Sequence, residues 1–277
     1  MLVCMKHKLL AFFALLALWL ASPLWSQSTP AMMQDDVLAA KILTGWRMAD
    51  GHHMAGLQLT LAPDWKTYWR APGEAGIPPQ FDWSGSQNVK SVLVHWPTPS
   101  VFHTNGLQTI GYHNAVVLPI EITPRDPAQP VLLRVEVALG VCKDICMPAT
   151  LQLDADLGGP NQDEAAINAA LSKIPHSADQ AGVRAISCTV APIKDGIRLS
   201  ASITMPSRGV DETVVFESQD STVWVAEATS QRAGSVLSSV AEFVGASGAP
   251  FALQRSGITI TVLGDDRAVE ITGCPAP

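Results

Sequence analysis

Val137-Ala-Leu-Gly-Val-Cys-Lys-Asp-Ile-Cys-Met-Pro148 is the stretch whose reading decides the fold. Cys142 and Cys146 stand with three residues between them. Before them, Val131, Leu133, Val135, Val137, Leu139 and Val141 recur at every second position. After them, Met147, Ala149, Leu151 and Leu153 do the same. Period two on both sides predicts two β-strands, and a three-residue gap predicts the loop of a hairpin. Successive side chains of a strand face opposite ways. The apolar set therefore faces a core, Cys142 shares the other face with Arg134 and Glu136, and Cys146 shares it with Thr150, Gln152 and Asp154. Both sulfurs are expected to point outward at a hairpin tip, directly opposed and at a spacing a disulfide can bridge.

The 277 residues are enough for one large or two ordinary domains. A hydrophobic fraction of 47% and a charged fraction of 16% suit a globular chain. A net charge of −7 argues against nucleic acid or an anionic membrane surface as partner. Its carboxylates are spread along the chain, as on an ordinary solvated surface.

Residues 1–28 are read as a secretory signal peptide. Lys6 and Lys8 make a basic start, Leu9 to Ala21 is almost wholly apolar, and Ser22-Pro-Leu-Trp-Ser-Gln-Ser28 follows. The apolar run falls short of the roughly 18–20 residues a spanning helix needs. The mature protein is expected in the periplasm, where disulfides persist. Cys4 leaves with the signal, and the even set Cys142, Cys146, Cys188 and Cys274 predicts two pairs.

Downstream, strands are expected over 39–48 and 54–61 around the Asp50-Gly51 turn, then over 81–83, 89–96, 115–122 and 131–141. Residues 63–79 read as an aromatic-rich loop, and 97–111, with two prolines and two glycines, as a long loop. Helix periodicity appears over 162–174, with Asn161 as N-cap and Ala165, Ile167, Ala170, Leu171 and Ile174 as its apolar stripe. Short strands resume over 183–190, 197–203, 213–217, 223–228, 258–263 and 268–271, separated by Gly/Asp turns. The fold class is therefore all-β: a sandwich over 29–158, a linker with a short helix over 159–182, and a second sandwich over 183–277.

The two cysteine pairs differ in the loop they close. Joining Cys142 to Cys146 removes about 2 kcal/mol of unfolded-chain freedom, and joining Cys188 to Cys274 removes about 4.5 kcal/mol. Cys188 lies on the first strand of the second sandwich and Cys274 just after its last, so that bond reads as structural. The short pair reads either as a minor surface staple or as a redox centre, since a tight loop tends to raise a bridge's reduction potential. Lys143 favours a thiolate and Asp144 opposes it. Copper is a further reading: Cys142, Cys146 and Met147 are soft ligands for Cu(I), with nitrogen from His95, His103 or His113, and His52-His53-Met54 is a separate candidate. Against it, a His–His pair beside a Gly turn is usually a solvated loop. Gly-rich phosphate loops, Gly-x-Ser-x-Gly and His-Glu-x-x-His are absent from the sequence, which excludes the commonest phosphoryl, acyl and zinc-hydrolase signatures. Trp65, Tyr68 and Trp69 suit a ligand such as a sugar, or the packing of a sandwich edge.

Several segments together resemble the periplasmic N-terminal region of the DsbD/ScsB thiol–disulfide interchange family, closer to the ScsB type associated with copper tolerance. They are Trp65-Lys-Thr-Tyr-Trp-Arg-Ala-Pro-Gly73, Gly76-Ile-Pro-Pro79, Phe81-Asp-Trp-Ser84, Ile110-Gly-Tyr-His113, Val117-Leu-Pro119 and Gly140-Val-Cys-Lys-Asp-Ile-Cys-Met-Pro148. The resemblance implies immunoglobulin-like sandwiches, with Cys142 and Cys146 as a pair that takes electrons from a membrane domain and reduces periplasmic partners, in settings that include cytochrome c biogenesis. No cofactor and no resident metal are expected. The resemblance also implies a cap loop at 100–109 with Phe102 as the shielding aromatic, and Tyr68 and Trp69 lining the other side. The sequence ends at Pro277 without a membrane domain, so the electron donor is expected to be a separate membrane protein.

Overall fold

The computed structural model describes residues 33–277 except 105 and 266. The signal-peptide reading of 1–28 lies outside the described residues. No helix among those described is long and apolar enough to cross a membrane.

The first half holds ten strands: β1 (Leu38–Arg47), β2 (His53–Leu61), β3 (Lys66–Gly73), β4 (Gln80–Asp82), β5 (Val89–Val94), β6 (Ser100–Thr104), β7 (Leu107–His113), β8 (Ala115–Pro124), β9 (Leu132–Cys142) and β10 (Cys146–Asp156). A one-turn helix, α1 (Gln34–Val37), precedes them. One sheet runs β1-β2-β8-β5 and the other β10-β9-β3-β7-β6, with β4 beside β9. Leu57, Leu59, Leu118 and Ile120 of the first sheet meet Val135, Val137, Leu139 and Trp69 of the second in one buried cluster. Alternation alone places them there: along β9 each second residue from Leu133 to Val141 is buried.

The second half adds β11 (His176–Ser177), β12 (Ala185–Ile193), β13 (Gly196–Thr204), β14 (Thr213–Ser218), β15 (Trp224–Val225), β16 (Thr229–Ala233), β17 (Val236–Val244), β18 (Ile258–Leu263) and β19 (Val269–Thr272). Its sheets run β11-β19-β18-β14 and β12-β13-β17-β15, with β16 also on β17. Leu199, Phe216, Phe243, Ile260 and Ile271 fill the space between them. The fold is thus all-β with two immunoglobulin-like sandwiches.

Three local expectations change. Residues 63–79 are not all loop, because β3 runs through them and is hydrogen-bonded between β7 and β9. Residues 97–111 are not a long loop: β6 and β7 form a hairpin, with Val101 opposite Ile110 and Phe102 opposite Thr109. Both strands are short and polar in part, which hid their period. The helix, α2 (Glu164–Leu171), is shorter than 162–174 and is entered through Asp163 rather than Asn161. It is also more than a spacer. Ile167, fully buried, packs with Leu43 and Met54 on the outer side of the first sheet. Burying an isoleucine in this way contributes about 1.5–3 kcal/mol.

The halves pack against each other. Leu263 and Ala268 join the first half's core cluster. Arg70 of β3 reaches Glu217 of β14 through two parallel bonds of 2.9 Å each and Glu270 of β19 at 2.6 Å. Burial works against the Arg70 charge, but the two carboxylates outweigh it and hold its pKa above the usual value. The Arg70 guanidinium also lies 4.5 Å from the Trp69 ring centroid, a cation–π distance.

Candidate functional site

The β9–β10 hairpin sets Cys142 and Cys146 in direct register. Their Cα atoms are 4.1 Å apart and the sulfurs are bonded. Lys143, Asp144 and Ile145 form the loop, closed by a bond from the Lys143 amide to the Ile145 carbonyl.

The two sulfurs are not equally outward, which corrects the sequence expectation. Cys142 is 1% exposed, whereas Cys146 is exposed. Alternation gave the correct face for Cys142, which is absent from the core cluster. What it could not show is that this face is covered. Beyond Leu139, Gly140 and Cys142 are buried on the side where Arg134, Glu136 and Ala138 are exposed. A segment around Ile77 lies over Gly140 so closely that an added methyl group would sit 2.7 Å from the Ile77 Cβ. Gly76 in turn leaves room for the Tyr68 ring, since a Cβ there would stand 2.8 Å from Tyr68 Cδ1.

Tyr68 is the group nearest the sulfurs. Its hydroxyl donates to Cys142 Sγ at 2.9 Å and approaches Cys146 Sγ at 3.5 Å. Burial raises the phenol's pKa, so it remains a protonated donor at neutral pH. Trp69 points the other way. It is fully buried in the core and does not line the sulfurs, because adjacent strand residues face opposite sides.

The β6–β7 hairpin forms the opposite wall of an open cleft of about 550 Å³ lined by Lys66, Phe102, His113, Cys142 and Lys143 among others. Phe102 sits edge-on to His113 at 4.4 Å between ring centroids, and Lys66 Nζ lies 5.3 Å from the Phe102 ring centroid. Phe102 therefore shares a cleft with Cys142, the Tyr68 hydroxyl contacts both sulfurs, and Trp69 does neither. Lys143 Nζ bonds Asp64 Oδ2 at 2.9 Å, which holds the Asp64 carboxyl below its usual range and the Lys143 ammonium above its own.

Cys188 and Cys274 are disulfide-bonded with Cα atoms 5.5 Å apart and join β12 to the segment after β19. The Arg255 guanidinium donates to the carbonyls of both, at 2.8 and 3.2 Å.

The copper candidates are not assembled. Among the described residues no group of three His, Cys, Asp or Glu side chains is placed to hold a metal ion. His52 and His95 both bond Glu121, at 2.7 and 3.0 Å. His53 is buried against the Thr44 carbonyl and Met54 is in a hydrophobic cluster. Lys66 and Ile77 do not stand out in the sequence because the prolines and glycines of 63–79 give it the composition of a loop. The signal was present, however: Lys66, Tyr68 and Arg70 share one parity, and Trp65, Thr67 and Trp69 the other.

Residues 34–157 match the family described as thiol:disulfide interchange protein DsbD, N-terminal. Over these residues the chain is similar to the N-terminal region of DsbD. Among solved structures, the crystal structure of the N-terminal periplasmic domain of ScsB from Proteus mirabilis superposes with a TM-score of 0.66 at 24% identity, over 89% of this chain and 96% of that one. At that identity the likeness speaks for the fold, and it extends through both sandwiches. No curated protein matches the chain.

Proposed function

Because residues 34–157 are similar to the N-terminal region of DsbD, we propose that this protein is a periplasmic thiol–disulfide interchange module that passes electrons through Cys142 and Cys146. The observation that carries the reading is the inequality of the two sulfurs: Cys146 is open to a partner, and Cys142 lies covered beneath Tyr68. A staple needs no such division, but exchange does.

In the reduced protein the Cys146 thiolate attacks a partner's disulfide. A Cys146–partner bond forms, the partner's S–S bond breaks, and its second sulfur leaves as thiolate and takes a proton. The Cys142 thiolate then attacks Cys146 Sγ and expels the partner's first sulfur. Two electrons have passed to the partner, and the intramolecular bond is restored. Tyr68 hydrogen-bonds Cys142 throughout, and the β6–β7 hairpin with Phe102 restricts the approach to partners that can engage the cleft, which protects the thiols from overoxidation. Reduction of the pair comes from a membrane electron donor, and the partners are periplasmic thiol–disulfide proteins. Copper tolerance and cytochrome c biogenesis, the settings the family resemblance implies, are where to look for them.

Trapping tests the reading. Cys142→Ala leaves Cys146 without its resolver and is expected to accumulate mixed disulfides with periplasmic proteins, whereas Cys146→Ala accumulates few. Absence of a trapped partner in both variants would end the exchange model. So would a reduction potential for the short pair below about −300 mV, the range of secreted structural disulfides.

A further inference from the structure

Lys66 stands at the start of β3, in register with Cys142 on β9 and with His113 on β7. Residues opposed across antiparallel strands put their side chains on one face, so Lys66 shares its side of the sheet with Cys142 and, two positions on, with Tyr68. Its Nζ donates to Thr109 Oγ1 at 3.1 Å and lies 5.3 Å from the Phe102 ring centroid. Lys66 and Cys142 line the same cleft.

The charge of Lys66 is uncompensated. Burial lowers its pKa, and among the described residues no carboxylate offsets that. The other charged and titratable groups of the cleft do not serve. Asp64 is taken by Lys143, Asp144 is exposed at the hairpin loop, and His103 and His113 are exposed on β6 and β7. Tyr68 is a neutral donor. A half-buried ammonium on the residue paired with Cys142, in a cleft that Cys142 also lines, is a cation with no carboxylate partner among the described residues while the sulfurs are bonded.

We propose that Lys66 is a positioning residue that holds Cys142 as a thiolate once the pair is reduced. This rests on the thiol-exchange reading above. A donor dithiol delivers two electrons and becomes a disulfide, and the Cys142–Cys146 bond breaks. Cys146 takes one of the donor's protons, which it gives up when it attacks a partner's disulfide, Cys142 stays anionic beside the Lys66 ammonium, and the second proton goes to water. The thiolate so held is the nucleophile that resolves the mixed disulfide on Cys146. Stabilising it favours the reduced state, so Lys66 also makes the pair more oxidising.

The test follows the thiolate's ultraviolet absorbance against pH in the full chain carrying Cys146→Ala, where Cys142 is the titrating thiol of the pair. Lys66→Met and Lys66→Gln are expected to raise the Cys142 pKa by about one unit, a tenfold loss of thiolate below it. Lys66→Arg keeps the charge and is expected to titrate like the parent. In the chain with both cysteines, the same tenfold change makes the potential more negative by about 30 mV. An unshifted pKa in both charge-removing variants overturns the proposal, as does a shift in Lys66→Arg equal to theirs, which would mark a packing role. The absorbance needs no partner. A chain that traps nothing yet shows Lys66-dependent acidity would therefore sink the exchange reading and leave this one intact.

Discussion

The hydroxyl of Tyr68 lies 2.9 Å from the sulfur of Cys142, although 74 positions separate the two in the chain. Strand β3 makes that contact by inserting between β7 and β9, so a central strand of the sheet delivers the donor. Removing only the hydroxyl, as Tyr68→Phe, keeps the buried ring. A hydrogen bond to a charged acceptor is worth about 1.5–3 kcal/mol, so the Cys142 thiolate should lose at least about tenfold in population. With Cys146→Ala in the background, titration of the thiolate's ultraviolet absorbance is expected to show the Cys142 curve displaced toward higher pH by Tyr68→Phe, with the fold unchanged.

Phe102 lines the cleft from the β6–β7 hairpin, in edge contact with His113. Phe102→Ala is expected to speed reduction of the oxidised pair by a small dithiol several-fold, because the wall is lowered and the core beneath is untouched. Equal rates in the variant and the parent would mean that the hairpin shields nothing.

Arg70 ties β3 to β14 and β19 through Glu217 and Glu270. Glu217→Gln with Glu270→Gln leaves the guanidinium without a countercharge. Breaking a fully buried pair costs about 3–5 kcal/mol. With the Arg70 side chain still 24% exposed, a loss of about 2 kcal/mol is the expectation here. Chemical denaturation measures it, and a second unfolding transition would mark the halves coming apart.

Cys188→Ala with Cys274→Ala opens a span of 86 residues. The chain-entropy estimate predicts a loss of about 4.5 kcal/mol on denaturation. Thiol exchange at Cys142 and Cys146 should persist under conditions where the double variant stays folded, because the two bridges belong to different sandwiches.

Stability should fall as the medium is acidified below about pH 6.5, the ordinary imidazole value. His53 is the reason. Burial, and to a smaller extent the Arg47 charge, lower its folded pKa against the opposing bond to the Thr44 carbonyl. The unfolded chain therefore takes up a proton before the folded chain does. Stability is full above the unfolded value and is lost as pH drops toward the folded one. His53→Gln should flatten this slope in denaturation curves taken at stepped pH. Glu121, held low chiefly by its bond from His52, adds a separate loss in the carboxylate range that the variant keeps.

Which parts of this were legible beforehand follows from the range of each interaction. The β9–β10 hairpin was readable because eleven paired positions alternate without a break. Strand β17 was not, since Leu237, Ser239, Ala241 and Phe243 face inward and two of the four are too small or polar to signal a core. Strand β3 was obscured by its aromatic content and flanking prolines, and with it went Lys66. Phe102 stands on β6, a strand residue rather than part of a loop.

By itself the sequence determined the pairing register of Cys142 and Cys146, the face on which their sulfurs lie, and the all-β class, because period and loop length are local quantities. Only the tertiary structure decided that one sulfur is covered and the other open. That difference depends on Tyr68, Ile77 and the β6–β7 hairpin arriving over the outer face from distant positions. Alternation specifies which way a side chain points, and it carries no information about what another strand has laid there.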